Sequence, residues 1–141
     1  MAVETRRVAL VTGASVGIGE AAARALVGAG FTVYGTSRRA AAGETRDGVV
    51  FLPLDVTDDE SVAGAVRRVL ELSGRIDVLV NNAGLGVAGA AEESSIEQAR
   101  TLFETNVFGA ILAIVLVSGR ASREHAQAAQ RGELVPVAAG A

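Results

Sequence analysis

The feature that most constrains this chain is an apolar run, Val8-Ala9-Leu10-Val11, that leads directly into Thr12-Gly13-Ala14-Ser15-Val16-Gly17-Ile18-Gly19 and then into a helical pattern. A buried strand that ends in glycines and turns straight into a helix leaves backbone N–H groups unpaired. The positive end of the helix dipole points at the same spot. Such a turn suits the pyrophosphate of a dinucleotide, which reaches the amides only where no side chain stands over them. Taken alone, the turn serves equally well as a structural strand end, because its spacing is not the generic Gly-x-Gly-x-x-Gly.

Ile18, Ala22, Ala25, Leu26 and Ala29 recur at helical spacing, predicting a helix over residues 17–29 that ends at Gly30. Thr32-Val33-Tyr34-Gly35-Thr36 reads as a second strand, completing a strand-helix-strand unit that binds mononucleotides when its strands are parallel. This strand ends in Ser37-Arg38-Arg39 and not in the acid that bonds the ribose hydroxyls of NAD. Two guanidiniums and a hydroxyl suit the 2′-phosphate of NADP; the plainer reading is a solvated loop. Residues 40–48 read as a polar loop, Val49-Val50-Phe51-Leu52 as a third strand stopped by Pro53, and Asp55 as either an adenine-amino acceptor or part of a polar turn. Thr57 with Glu60 predicts a capping box for a helix whose buried stripe is Val62, Val66, Val69 and Leu70, closing at Ser73-Gly74. Ile76 to Val80 is a fourth strand, and Asn81-Asn82-Ala83-Gly84 after it is a close-contact turn for a ligand or a neighbouring strand. Residues 85–93 are loop-like, Ser94 with Glu97 reads as a second capping box, and Ile96, Ala99, Leu102 and Phe103 begin a helix running through Asn106 to Leu112. An amide in mid-helix beside an apolar run bonds a carbonyl, bends the helix or serves a site. Strands alternating with helices give an α/β fold, a parallel sheet covered on both faces.

Composition narrows the partners. At 141 residues and 50% hydrophobic content the chain is one domain with a real core, and a net charge of -3 disfavours nucleic acid and anionic membranes. The apolar run Val107 to Val117 is shorter than the ~18 residues that span a bilayer, and the N-terminal apolar run is too short for a signal-peptide core, so the cytosol is the expected compartment. No cysteine is present, and His125 is the sole histidine, which rules out a thiolate metal site and a zinc site built on His125 alone. Every cation is arginine; without lysine there is no Walker-type site.

Over residues 6–112 these motifs, in this order, resemble the short-chain dehydrogenase/reductase family of Rossmann NAD(P)-dependent oxidoreductases. The match comprises the glycine turn (Thr12, Gly13, Gly17, Gly19), the adenine-side Asp55, Asn81-Asn82-Ala83-Gly84, and Asn106 at the family's helix-borne active-site asparagine. The resemblance implies a doubly wound sheet of order 3-2-1-4. It implies a dinucleotide site formed by Thr12, Gly13, Ser15, Gly17, Ile18, Gly19, Ser37, Arg38, Arg39, Asp55, Asn82, Ala83 and Gly84, with NADP preferred over NAD. The family reaction transfers hydride between this cofactor and an alcohol or carbonyl substrate, using a Ser and a Tyr-x-x-x-Lys. Here the only tyrosine is Tyr34, in the second strand, and lysine is absent. His125, in an Ala-, Arg- and Gln-rich segment, is read as a surface residue and not as a substitute acid. Residues 113–141 continue a helix and then diverge into a loose tail or a degraded fifth strand, where Pro136 argues against a central strand. The expectation is a Rossmann sheet truncated after its fourth strand, inactive on its own, with an open edge that favours self-association; the alternative is a non-catalytic nucleotide-binding module.

Overall fold

The computed structural model describes residues 6–86 and 95–118. In chain order the elements are β1 (Val8–Val11), α1 (Gly17–Gly28), β2 (Thr32–Ser37), β3 (Thr45–Arg46), β4 (Val49–Pro53), α2 (Asp59–Ser73), β5 (Val78–Val80) and α3 (Ile96–Phe103). A π-helical turn, Glu104–Phe108, carries α3 into helical residues 109–118. The sheet order is β3-β4-β2-β1-β5, and β4, β2, β1 and β5 are parallel neighbours in the order expected for the four predicted strands.

Strand residues alternate between two cores, as the period of two requires. Ala9, Val11, Val33 and Phe51 meet Ala14 and Ala23 on the α1 face; Val8, Leu10, Tyr34 and Leu52 meet Val66 and Val69 of α2 on the other. Leu116 and Val117 pack against this second core, and Ala113 of the same helix is buried beside Leu54 and Val62. Both faces of the sheet are thus covered.

Several local expectations are corrected. Residues 40–48 are not all loop: β3 pairs antiparallel with β4 through a tight turn in which Asp47 and Gly48 have φ of 50° and 80°. The inward side of α1 is Gly19 and Ala23, with Leu26 and Val27 packed at its margin, while Ile18 is 82% exposed. Small residues let this helix sit close to the glycine turn, which rotates Ile18 outward. The cap of α2 is Asp58, whose carboxylate accepts from the Glu60 and Ser61 N–H groups, because Thr57 is already bonded to Asp55. At α3 the reciprocal capping box is Ser95 with Gln98; Ser94 lies outside the described residues. The fourth predicted strand is shorter than expected. Asp77 lies ahead of β5 and accepts the Val8 N–H through Oδ2 at 2.7 Å.

The helix from Ile96 to Ser118 spans 23 residues and holds an 18-residue window with a mean hydropathy of 1.8, so by length and composition it could cross a membrane, although the apolar run within it is short. One stripe of it is nevertheless packed: Thr105, Gly109 and Ala113, spaced four apart, are buried. At Gly109 a Cβ would lie 2.6 Å from the Val56 carbonyl oxygen, so glycine is what allows this helix to sit against the segment after β4.

Candidate functional site

The carboxyl ends of β1, β2, β4 and β5 meet the glycine turn at one edge of the sheet. Thr12 is 1% exposed. Its hydroxyl oxygen accepts from the N–H groups of Asn82 at 3.1 Å and Ala83 at 3.0 Å, and its own N–H donates to the Val80 carbonyl at 3.0 Å. Asn82 reaches back, donating from Nδ2 to the Gly13 carbonyl at 2.9 Å. The β1 exit and the β5 exit are therefore tied together by side chain and backbone.

This tie changes the roles of the glycines. Gly13 has φ of 64°, and a Cβ there would meet Ala83 Cα at 2.9 Å, so its bareness serves the contact with the β5 exit. A Cβ on Gly19 would overlap the Gly13 carbonyl oxygen and Asn82 Nδ2. Gly17, with φ of 61°, is the glycine beside open space: nothing lies within 4 Å of its Cβ position.

Beside the turn is a cleft of about 560 Å³. Nine of the residues expected at a dinucleotide line it: Gly13, Ser15, Ser37, Arg38, Arg39, Asp55, Asn82, Ala83 and Gly84. Thr12, Gly17, Ile18 and Gly19 lie behind or beside it. Sequence reading singled out Thr57 only as a helix cap and did not single out the other lining residues, among them Thr36, Leu54, Val56, Leu85, Thr101 and Thr105. Thr36 was legible only as the end of a strand, and Thr105 only as the neighbour of Asn106.

The cleft's polar groups differ in how fully they are bonded. The Ser37 hydroxyl accepts from the Arg39 N–H at 3.2 Å, which fixes the turn that presents both arginines. Arg38 and Arg39 are exposed and form no ion pair among the described residues, whereas Arg24, Arg46, Arg67, Arg68 and Arg75 each face a carboxylate. Asp55 Oδ1 accepts from the Thr57 hydroxyl at 2.7 Å and the Thr57 N–H at 2.9 Å. These bonds hold its carboxyl below the ordinary carboxylate range; partial burial opposes them and the Arg38 charge assists. The carboxylate is thus ionised at neutral pH. Thr36 is fully buried at the mouth of β2, and its hydroxyl has no hydrogen-bond partner among the described residues.

Asn106 sits in the π-helical turn, and its amide is committed: Oδ1 accepts from the Leu85 N–H at 2.7 Å and Nδ2 donates to the Leu85 carbonyl at 2.8 Å. It fixes the chain just past Gly84 and does not line the cleft. Asn81 braces the same helix, donating from Nδ2 to the Ala110 carbonyl at 3.4 Å. Tyr34 is buried on the α2 face, its hydroxyl 2.7 Å from Ser73 Oγ and away from the cleft. His125 and the expected fifth strand lie outside the described residues.

Comparison with known proteins agrees with this fold. The short chain dehydrogenase family profile matches residues 7–141, extending past Leu112, where the motif-by-motif resemblance stops. A 3-ketodihydrosphingosine reductase of Bacteroides thetaiotaomicron is 37% identical over 131 residues, covering 93% of this chain and 46% of that protein. Bovine (Bos taurus) 3-hydroxyacyl-CoA dehydrogenase type-2 is 36% identical, covering 93% of this chain and 55% of its own. Among solved structures, a short-chain dehydrogenase from Streptomyces avermitilis superposes with a TM-score of 0.75 at 44% identity, over 82% of this chain and 44% of the other. A 3-ketoacyl-(acyl-carrier-protein) reductase from Brucella melitensis, complexed with NADH, superposes with a TM-score of 0.71 at 34% identity, over 77% of this chain and 47% of that one. The chain thus spans about half the length of these relatives.

Proposed function

The chain belongs to the short-chain dehydrogenase/reductase family, and from that premise we propose that its cleft binds the adenosine half of NADP(H) in preference to NAD(H), as part of an oxidoreductase acting on an alcohol or carbonyl substrate. The observation that carries the preference is the pair of arginines at the end of β2, both without an ion-pair partner among the described residues, where an NAD site would offer an acid. A 2′-phosphate between them gains charge-assisted hydrogen bonds, and a bare ribose does not. The remaining unbonded groups fit the same ligand. Asp55 Oδ2 takes no hydrogen bond among the described residues and suits the adenine amino group, while the N–H groups opening α1 suit the pyrophosphate.

When bound, the dinucleotide supplies or accepts the hydride; the described residues hold and orient it. Asn106 is read as acting by positioning, since its Oδ1 and Nδ2 both bond the Leu85 backbone. No described group is placed to exchange a proton with a substrate oxygen, and Tyr34 is committed to Ser73 on the far side of the sheet. For the 141-residue chain on its own we therefore propose nucleotide binding without turnover. We read the helix Ile96–Ser118 as a packed helix and not a membrane span, on the strength of its buried Thr105, Gly109 and Ala113 stripe. Its outward apolar face and the β5 edge suit self-association.

Calorimetric titration with NADPH and NADH tests the cofactor assignment. The expected result is tighter NADPH binding, with most of that advantage lost in Arg38→Ala. Tighter NADH binding, or NADPH affinity unchanged in Arg38→Ala, overturns it.

A further inference from the structure

The hairpin between β3 and β4 carries a reactive pair that the cleft does not use. Asp47 and Gly48 form its tip, and theirs is the only Asp-Gly or Asn-Gly step in the sequence. Asp47 is the one non-glycine residue with a positive φ among the described residues, at 50°, and its side chain is 58% exposed. The Gly48 N–H makes no hydrogen bond among the described residues, and glycine has no side chain to shield it. The strand that holds the turn, β3, has two residues, both exposed, so opening of the tip costs little. What restrains the Asp47 carboxylate is Arg24 of α1. Its Oδ2 accepts from Arg24 Nε at 3.1 Å and from Nη2 at 2.5 Å, and Arg24 is itself steadied by Glu20, one helical turn before it, at 3.5 Å.

We propose that the Asp47–Gly48 bond is a site of spontaneous isomerisation to a β-linked aspartate, and that Arg24 guards it. The Asp47 carboxyl, protonated from solvent, is attacked at Cγ by the Gly48 nitrogen. The C–N bond forms, the C–OH bond breaks, and the hydroxyl leaves as water with the amide proton. A second water then opens the cyclic imide at either carbonyl. Opening at Cγ restores the original linkage; opening at the former main-chain carbonyl leaves the chain running through Cβ and Cγ, with the α-carboxylate free. While Arg24 holds Oδ2, the carboxyl is fixed against α1, and it must be released before it can take up that proton and before Cγ can meet the nitrogen. The β-linked product has one more backbone atom in the turn between Arg46 and Val49, so the hairpin comes away from α1. It does so over a cavity of about 200 Å³ whose lining includes the buried Ala14, Ala23, Val49 and Phe51.

The test follows the 141-residue chain, wild type and Arg24→Gln, at neutral pH and body temperature, by methylation with a protein isoaspartyl methyltransferase and by peptide mapping. Expected is β-linked aspartate accumulating at Asp47 ahead of every other aspartate, through an intermediate one water lighter. In Arg24→Gln it should form about two- to fivefold faster, the range that an exposed ion pair supports. A second arm needs no variant: molar salt screens exposed pairs, so it should speed the wild-type chain towards the Arg24→Gln rate and leave Arg24→Gln unchanged. No modification at Asp47, or modification spread equally over the other aspartates, overturns the site. Equal rates in wild type and Arg24→Gln, or a wild-type rate that salt does not move, overturn the guard.

Discussion

Three glycines of α1 face three different surroundings, and alanine at each has a different expected outcome. At Gly19 the added methyl falls on the Gly13 carbonyl oxygen and Asn82 Nδ2, the two ends of a 2.9 Å hydrogen bond. The obstacle is backbone, held by the Thr12 tie, so it cannot swing aside. Overpacking of this kind costs about 1–3 kcal/mol, and loss of the hydrogen bond adds about 1. The better helix propensity of alanine returns about 1, leaving a net destabilisation of roughly 1–3 kcal/mol. At Gly28 a Cβ meets nothing within 4 Å, and the backbone is not left-handed, so alanine there stabilises by about 0.5–1 kcal/mol. Gly17→Ala introduces no clash but must hold φ at 61°, which costs about 1–2 kcal/mol. Urea unfolding followed by far-UV circular dichroism ranks the three. A Gly19→Ala chain as stable as Gly28→Ala would refute the close approach of α1 to the β5 exit, and with it the account of how the turn is built.

Other measurements follow from single contacts. Thr36→Val removes a buried hydroxyl that bonds nothing, so stability is expected unchanged or up to about 1 kcal/mol higher; a clear loss would mean that the hydroxyl is bonded in solution. Burial opposes ionisation of Asp77, but the Arg75 guanidinium and the Val8 N–H outweigh it and hold the carboxyl below its ordinary value, as Thr57 does for Asp55. A depressed folded pKa stabilises above the unfolded value of about 4 and stops doing so as pH falls through the folded one, so stability is expected level at neutral pH and falling below about pH 4. Asp77→Asn should flatten that fall, and an acid limb identical to wild type would sink the assignment. No NADPH oxidation above background is expected with aldehydes, ketones or quinones, since loss of general-acid help costs ~10²–10⁴-fold; turnover that copurifies with the chain and survives His125→Ala would refute this. Concentration-dependent association is expected by sedimentation velocity, reduced by Ile111→Glu with Val115→Glu on the outward helix face; a monomer at all concentrations would contradict it.

Periodicity made the four long strands and α2 legible, because their apolar residues are buried as their spacing implies: Val62, Val66 and Val69 are all inside. It misread α1, where what faces inward is small and not large. A Gly19–Ala23 stripe carries no hydrophobic signal, and Ile18, the strongest apolar residue of the first turn, lies outside. The caps slipped by one residue at both helices for one reason: several candidate side chains stand side by side, and only tertiary bonding decides between them. Thr57 was drawn away by Asp55, leaving Asp58 as the cap. The β3–β4 hairpin escaped notice because two exposed residues have no apolar face to alternate.

The cleft divides along the same line. Motif residues were the easiest to find, yet Thr12, Asn82 and Asn106 spend their polar groups on backbone: Asn82 and Ala83, Gly13, and Leu85 respectively. Each joins segments about 20 or about 70 residues apart, and such a bond must be made by one particular side chain at one particular place, which is what gives a motif its fixed form. The cleft groups left unbonded among the described residues are the plainer ones: Arg38 and Arg39 on a turn and a carboxylate oxygen of Asp55. The arginines and Asp55 are set by short local bonds, Ser37 to Arg39 and Asp55 to Thr57, to which no motif spacing points. A substitution in a brace should therefore change stability and ligand affinity together, whereas one in an open group should change affinity alone. Asn82→Ala and Arg38→Ala, measured side by side for unfolding and for NADPH binding, would separate the two layers; loss of stability in Arg38→Ala as large as in Asn82→Ala would show that no such division exists.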